Sequence, residues 1–187
     1  MNGGVVRTLA LISLSFCSAA QASAQQWPEA GREAKPYTRW WWHGSAVDSA
    51  GIDYCMTQYA KAGIGGVEIT PIYGMVDNEA NEIAYLSPKW MRMLRYVETR
   101  GEQLGMEVDM ATGTGWPFGG PLVSEEDAAC KLIFDEEDNH SVGRTKQKVK
   151  RAAPGGEGFV IDHFDRGAVA RYFERFDTAF ANQGMTF

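Results

Sequence analysis

The chain has 187 residues, 44% of them hydrophobic and 22% charged, with a formal net charge of −6. That length makes one domain the default, and the composition is that of a globular protein. The acidic balance argues against a nucleic-acid binder, which would present a basic face, and selects no other partner.

The first 24 residues read as a secretory signal peptide, not as part of the fold. Arg7 supplies a short positive region, Leu9 to Phe16 an apolar core, and Ala22-Ser23-Ala24 an A-x-A cleavage site before Gln25. The apolar run is too short to span a bilayer. This places the mature protein outside the cytoplasm, secreted or periplasmic, with no membrane association after cleavage. The bulky Phe16 directly before Cys17 argues against a lipid anchor on that cysteine. Cys55 and Cys130 are then the remaining cysteines, too few for a disulfide framework. Cys55 falls on the apolar stripe of a predicted helix and reads as a free thiol.

After a polar lead-in, Tyr37 to His43 is aromatic and β-prone and predicts a first strand, ended by Gly44. Ile52, Cys55, Met56, Tyr59 and Ala62 recur at helical spacing, so a helix is expected from about Asp48 to Ala62. Gly66 to Ile72 predicts a second strand, and Tyr73 to Leu86 a polar surface loop. Ser87-Pro88 is a helix start, with serine as N-cap and proline in the first turn. Trp90, Leu94, Val97, Gly101 and Leu104 share one stripe, and Gly105 caps the helix. Met106 to Ala111 predicts a third strand, which opens into the glycine-rich loop 112–121 around a lone indole, Trp116.

This alternation of strand and helix points to parallel β/α units joined by right-handed crossovers. Beyond Pro121 the pattern changes. Ser124 to Ala129 reads as the start of a short helix. An acidic block followed by a basic block, Phe134 to Arg151, reads as an exposed hairpin or insertion, with the irregular region spanning about 122–157. Gly158 to His163 predicts a short strand that would add to the three parallel ones. Arg166 to Ala181 predicts an amphipathic helix with Val169, Phe173, Phe176 and Phe180 on one face. The fold class expected is α/β, the N-terminal portion of a (β/α)8 barrel. Such a barrel takes about 250 residues, so residues 25–187 are expected to be an incomplete part of one and the chain a fragment of a longer protein.

Strand parity generates the candidate site. Side chains alternate between faces along a strand, so Val67 and Ile69 oppose Glu68 and Thr70, and Val108 and Met110 oppose Glu107 and Asp109. Arg39, Trp41 and His43 share a face of the first strand. Apolar members belong under the helices, which turns His43, Glu68 and Asp109 toward the barrel interior near the strand ends. Carboxylates beside indoles suit sugar chemistry, since they serve as acid, base or hydroxyl acceptor while an indole face covers a sugar ring. Each residue also has a structural reading: an inward carboxylate can simply hold Arg39, a lone histidine is often a hydrogen-bonded framework residue, and Trp40, Trp41 and Trp42 read as core. Trp116 stands apart, because an indole in a glycine-rich loop needs something to pack on. No dinucleotide fingerprint, phosphate loop, zinc-ligand spacing or nucleophile elbow is present.

The stretches TRWWWHGSAVD (38–48), AGIGGVEITPIYG (62–74), YLSPKWMRML (85–94), LGMEVDMATGTGWPFGGP (104–121) and RAAPGGEGFVIDHFD (151–165) together resemble the N-terminal catalytic region of family 106 glycoside hydrolases, the α-L-rhamnosidases. The resemblance implies a secreted bacterial enzyme much longer than this chain, with a (β/α)8 barrel followed by β-sandwich modules. It implies inverting hydrolysis of terminal α-L-rhamnosides, a calcium ion in the site and a rhamnose-containing glycan or glycoside as partner. The family's catalytic glutamates are expected beyond Phe187, so no general acid, base or metal ligand is assigned. His43, Glu68, Asp109 and Trp116 are the substrate-binding candidates. Two alternatives stay open: a non-catalytic carbohydrate-binding protein, and a barrel hydrolase acting on another deoxysugar. Intact-mass measurement of the exported protein should find the N-terminus at Gln25; a retained leader would remove the export reading.

Overall fold

A computed structural model describes residues 28, 31–137 and 139–186. The leader at 1–24, with Cys17, lies outside the described residues. Strand β1 (Tyr37–His43) leads through a tight turn into helix α1 (Ser49–Lys61), then strand β2 (Gly66–Ile72), helix α2 (Pro88–Leu104) and strand β3 (Glu107–Met110). The three strands are parallel in the order β1-β2-β3, with Arg39 opposite Glu68 and Glu68 opposite Asp109.

Local chemistry explains the boundaries. Asp48 caps α1 by accepting the Gly51 amide at 2.7 Å, and Ser87 caps α2 by accepting the Trp90 amide at 3.3 Å. Gly105 ends α2 in the left-handed region at φ 66°, where a side chain would be strained.

The parity expectation holds. Trp40, Trp42, Val67 and Ile69 are buried and join Ile52, Met56, Trp90, Leu94 and Val97 of the helices in one core cluster. Arg39, Trp41, Glu68 and Asp109 alternate with them. Gly101 lets α2 sit tightly on β3, because a Cβ there would lie 2.7 Å from Val108 Cγ2 and 3.0 Å from the Met106 carbonyl. The Trp90 indole donates to the buried Ser45 hydroxyl at 3.0 Å, fastening α2 to the turn that follows β1.

Beyond β3 the chain departs from β/α alternation. Strand β4 (Gly119–Gly120), the hairpin β5 (Cys130–Phe134) and β6 (His140–Arg144), and strand β7 (Phe159–Val160) precede helix α3 (Arg166–Ala181). The hairpin is exposed, as expected for an insertion. The residues expected to begin a helix at 124–129 form turns instead; Ser124 accepts the Asp127 amide at 3.2 Å, and the chain then pairs onward as strand. The segment 158–163 does not extend the parallel sheet. Its two-residue strand β7 pairs antiparallel with β4. Among the described residues the sheets are therefore small, and no barrel is closed.

Two smaller expectations are also corrected. The loop 73–86 is not wholly surface, since Ile83 and Tyr85 are buried. On α3 the fully buried face is Ala168, Tyr172, Phe176 and Phe180, with Val169 and Phe173 at its margin. Tyr172 keeps its hydroxyl bonded while its ring is buried, which a stripe drawn from apolar residues alone overlooks.

Leu94 is 1% exposed at the centre of the helix–sheet core. Leu94→Ala should lower unfolding free energy by about 3 kcal/mol in urea titration; a loss under about 1 kcal/mol would mean that the α2–sheet contact is not the stabilising core.

Candidate functional site

The helix-free face of the parallel sheet carries the polar row. Arg39 Nε donates to Glu68 Oε1 at 3.0 Å and Nη2 to Oε2 at 3.3 Å, a forked pair. The Thr70 hydroxyl also donates to Glu68 Oε1, at 3.0 Å. Glu68 is thus fixed from two sides on the central strand. Both members of the ion pair are partly exposed, so its purpose is geometry more than stability. Asp109 sits beside Glu68 on β3 and uses Oδ1 to accept the Met110 amide at 2.8 Å.

Two residues further toward the strand ends, Trp41 pairs with Thr70. Trp41 is 43% exposed, and its ring meets that of Trp116 edge to face, with centroids 5.7 Å apart and planes at 77°. The Arg39 guanidinium lies 5.5 Å from the Trp41 ring centre. Arg39, Glu68, Asp109, Thr112, Trp116 and Phe118 line a pocket of about 290 Å³.

The loop that bears Trp116 is built by close backbone approach. Trp116 exchanges two backbone hydrogen bonds with Lys150, both 2.9 Å, and the Trp116–Pro117 bond is cis. Gly115 has φ 64°, and a Cβ there would fall 2.0 Å from the Lys150 carbonyl oxygen. Gly119 is equally constrained, with the Phe159 carbonyl oxygen 2.0 Å from where its Cβ would be. Glycine is required at both positions for the loop to lie against 148–160.

Three of the four sequence candidates, Glu68, Asp109 and Trp116, therefore meet in one pocket. His43 does not. It lies four residues beyond Arg39 on β1, about 13 Å further along the strand, and stacks on Tyr73 with ring centres 6.3 Å apart. There it lines a separate cavity of about 650 Å³ with Tyr73, Glu79, Glu82 and Glu157. Grouping it with the acids overlooked the length of β1. Trp41, expected in the core with its neighbours, is exposed instead and stands beside the pocket against Trp116; its parity with Arg39 is the signal that reveals it. Arg39 is part of the pocket wall.

A larger cavity, about 710 Å³, is elsewhere, between α3 and residues 121–122. Its Asp127 is engaged by two nitrogens of Arg171, which holds its carboxyl below the usual carboxylate range. Its lining contains no tryptophan, whereas the sheet-face pocket includes Trp116.

The described residues hold no group of three or more histidine, cysteine, aspartate and glutamate side chains arranged to take a metal ion, and Glu68 is already committed to Arg39. Cys55 and Cys130 are both free thiols.

A family model described as alpha-L-rhamnosidase, for family 106 glycoside hydrolases, matches residues 28–151. The chain belongs to that family. The matched stretch holds the whole parallel sheet, both helices on it and the Trp116 loop. A solved structure, a rhamnosidase from Novosphingobium sp. PP1Y, is 25% identical with a TM-score of 0.47 and covers 57% of this chain. This chain spans 10% of that rhamnosidase's length. A search of curated proteins gave no match.

The Arg39–Glu68 pair is exposed enough that Glu68→Gln should cost at most about 1 kcal/mol in urea titration. Gly115→Ala should cost more, because the backbone itself blocks the methyl. The reverse order would show that the ion pair, not loop packing, holds this wall.

Proposed function

We propose that this chain forms one wall of the sugar pocket of a secreted glycoside hydrolase that cleaves terminal α-L-rhamnosides with inversion. On this reading β1–β3 are the first strands of a (β/α)8 barrel, and the irregular region at about 122–157 is an insertion into it. The observation that supports it is the meeting of Glu68, Asp109 and Trp116 in one pocket, with Trp41 packed edge to face on Trp116, in a chain from the α-L-rhamnosidase family.

The chemistry of each part fits a deoxyhexose. A carboxylate accepts hydrogen bonds through both oxygens. Asp109 uses one on the backbone, and the other is suited to a sugar hydroxyl. Glu68, oriented by Arg39 and Thr70, presents a fixed acceptor in the same row. The crossed indoles offer apolar surface for the sugar's methyl and C–H face. Desolvated carboxylate–hydroxyl bonds contribute about 1.5–3 kcal/mol each, enough to orient a monosaccharide without dominating affinity.

Bond cleavage is not assigned to these residues. Inverting hydrolysis needs a protonated acid and a base roughly 6.5–9.5 Å apart, with room for water. On this reading Glu68, paired with Arg39 and with Oε2 able to accept a further bond, and Asp109 both act as ligands to hydroxyls. Calcium belongs to the reading of the complete enzyme, and no ligand to it is assigned within this chain.

A second reading, sugar binding without catalysis, is favoured by the same engagement of Glu68. Calorimetry of the chain with L-rhamnose, L-fucose and D-glucose, alongside turnover of an aryl α-L-rhamnoside, separates the possibilities. Rhamnose binding without turnover is expected for this chain. Turnover by it would overturn the division of labour proposed here, and a preference for fucose would move the substrate to another deoxysugar. Asp109→Asn and Trp116→Ala should each weaken rhamnose binding about tenfold with an unchanged melting temperature. Loss of melting temperature alone would leave both residues structural.

A further inference from the structure

Helix α3 lies beyond the stretch that the family model matches, yet it reaches the strand end from which the Trp116 loop departs. The Tyr172 hydroxyl lies 2.6 Å from the Thr112 carbonyl oxygen and 3.2 Å from that of Gly119. These are the two shoulders of the loop. A single phenolic proton serves both, with Thr112 the nearer acceptor. Arg175 Nη2 donates to the Tyr172 oxygen at 3.2 Å, so guanidinium, phenol and carbonyl form one directed chain. Donation from a cation polarises the phenol and strengthens its own donation to the loop.

A second phenol acts beside it. The Tyr85 hydroxyl donates to the Ala111 carbonyl at 3.1 Å. The Arg175 guanidinium lies 5.5 Å from the Tyr85 ring centre and 4.6 Å from that of Tyr172. Arg175 is thus shared by the two phenols that grip consecutive carbonyls, Ala111 and Thr112. Burial pushes both phenols above their ordinary range, so each remains a neutral donor. The contact is also built from the loop side: a Cβ at Gly113 would come within 3.1 Å of the Tyr172 hydroxyl, and one at Gly120 within 2.7 Å of Arg175 Nη1.

The gripped carbonyls belong to pocket-lining residues, since Ala111 and Thr112 stand with Asp109 and Trp116 around the 290 Å³ pocket. Neither Tyr172 nor Arg175 lines that pocket. We propose that Tyr172 and Arg175 of α3, with Tyr85, are positioning residues that fix the 111–120 loop and so set where Trp116 stands over the polar row. The consequence for the sugar pocket rests on the rhamnoside-binding reading; the consequence for the loop does not.

The test uses the 187-residue chain and its Tyr172→Phe variant, which keeps the ring against Phe176 and deletes the hydroxyl. Hydrogen exchange is followed by mass spectrometry on peptides covering 111–120 and 88–104. The Ala111 and Trp116 amides are bonded to Ile69 and Lys150, so loop opening exposes them. Exchange in 111–120 should rise about tenfold, the effect of losing one buried hydrogen bond, and by more than exchange in 88–104, while the melting temperature falls by no more than roughly 5 °C. Arg175→Met should give a smaller rise, and Arg175→Lys should recover part of it. Rhamnose affinity measured on the same proteins should fall severalfold in Tyr172→Phe. Unchanged exchange in 111–120, a rise shared equally by 88–104, or a wild-type loop with no protection would each overturn the proposal. Rhamnose binding that is undiminished in a variant with a loosened loop would overturn its link to the pocket. If the wild-type chain binds no rhamnose, the substrate reading fails while the exchange result still decides the positioning role.

Discussion

Two helices packed on one face of a three-stranded parallel sheet leave the other face for chemistry. Every later feature depends on that asymmetry. Because side chains alternate strictly along a strand, filling one face with Trp40, Trp42, Val67 and Ile69 commits Arg39, Trp41, Glu68 and Asp109 to the opposite one. The parallel register then lines up Arg39, Glu68 and Asp109 across three strands. A slip of one residue in β1 would bury Arg39 and expose an indole, and a slip in β2 would bury Glu68 and expose Val67 and Ile69, so core packing and site assembly are the same constraint.

The polar row is organised rather than merely gathered. Glu68 on the central strand has a guanidinium on one side and a hydroxyl from its own strand, while Asp109 on the edge strand is tied only to its neighbouring amide. The two carboxylates therefore differ in freedom although they share a register. The indole above them comes from a loop whose shape is dictated by backbone-to-backbone approach at Gly115 and Gly119. A fixed acidic floor and an indole held by a pinned loop thus line the same pocket.

The repetitive parts of this arrangement were legible in the sequence, because local rules govern them. Period-2 alternation marked the faces of β1–β3, and the Ser87-Pro88 and Gly105 signals bounded α2 to the residue. What was not legible depends on distance. The span of β1 carries His43 away from the acids, which parity cannot express. The exposure of Trp41 follows from parity but conflicts with the habit of burying indoles. The antiparallel pairing of Phe159–Val160 with Gly119–Gly120 joins segments about forty residues apart, and two-residue strands have no periodicity to read. The apolar face drawn through Val169, Phe173, Phe176 and Phe180 leaves Tyr172 out; only the folded chain shows its hydroxyl reaching Thr112, sixty residues earlier.

That last separation carries a meaning for how the molecule is made. The β1–α1–β2–α2–β3 unit joins elements that follow one another in the chain, and loop closure over short spans is entropically cheap. The Trp116 loop is different, since its carbonyls wait for Tyr172 and its backbone for Lys150. During synthesis at about 5–20 residues per second, the acidic floor is complete several seconds before the helix that fixes the indole emerges. The floor thus rests on contacts between successive elements and the wall on contacts that span up to sixty residues.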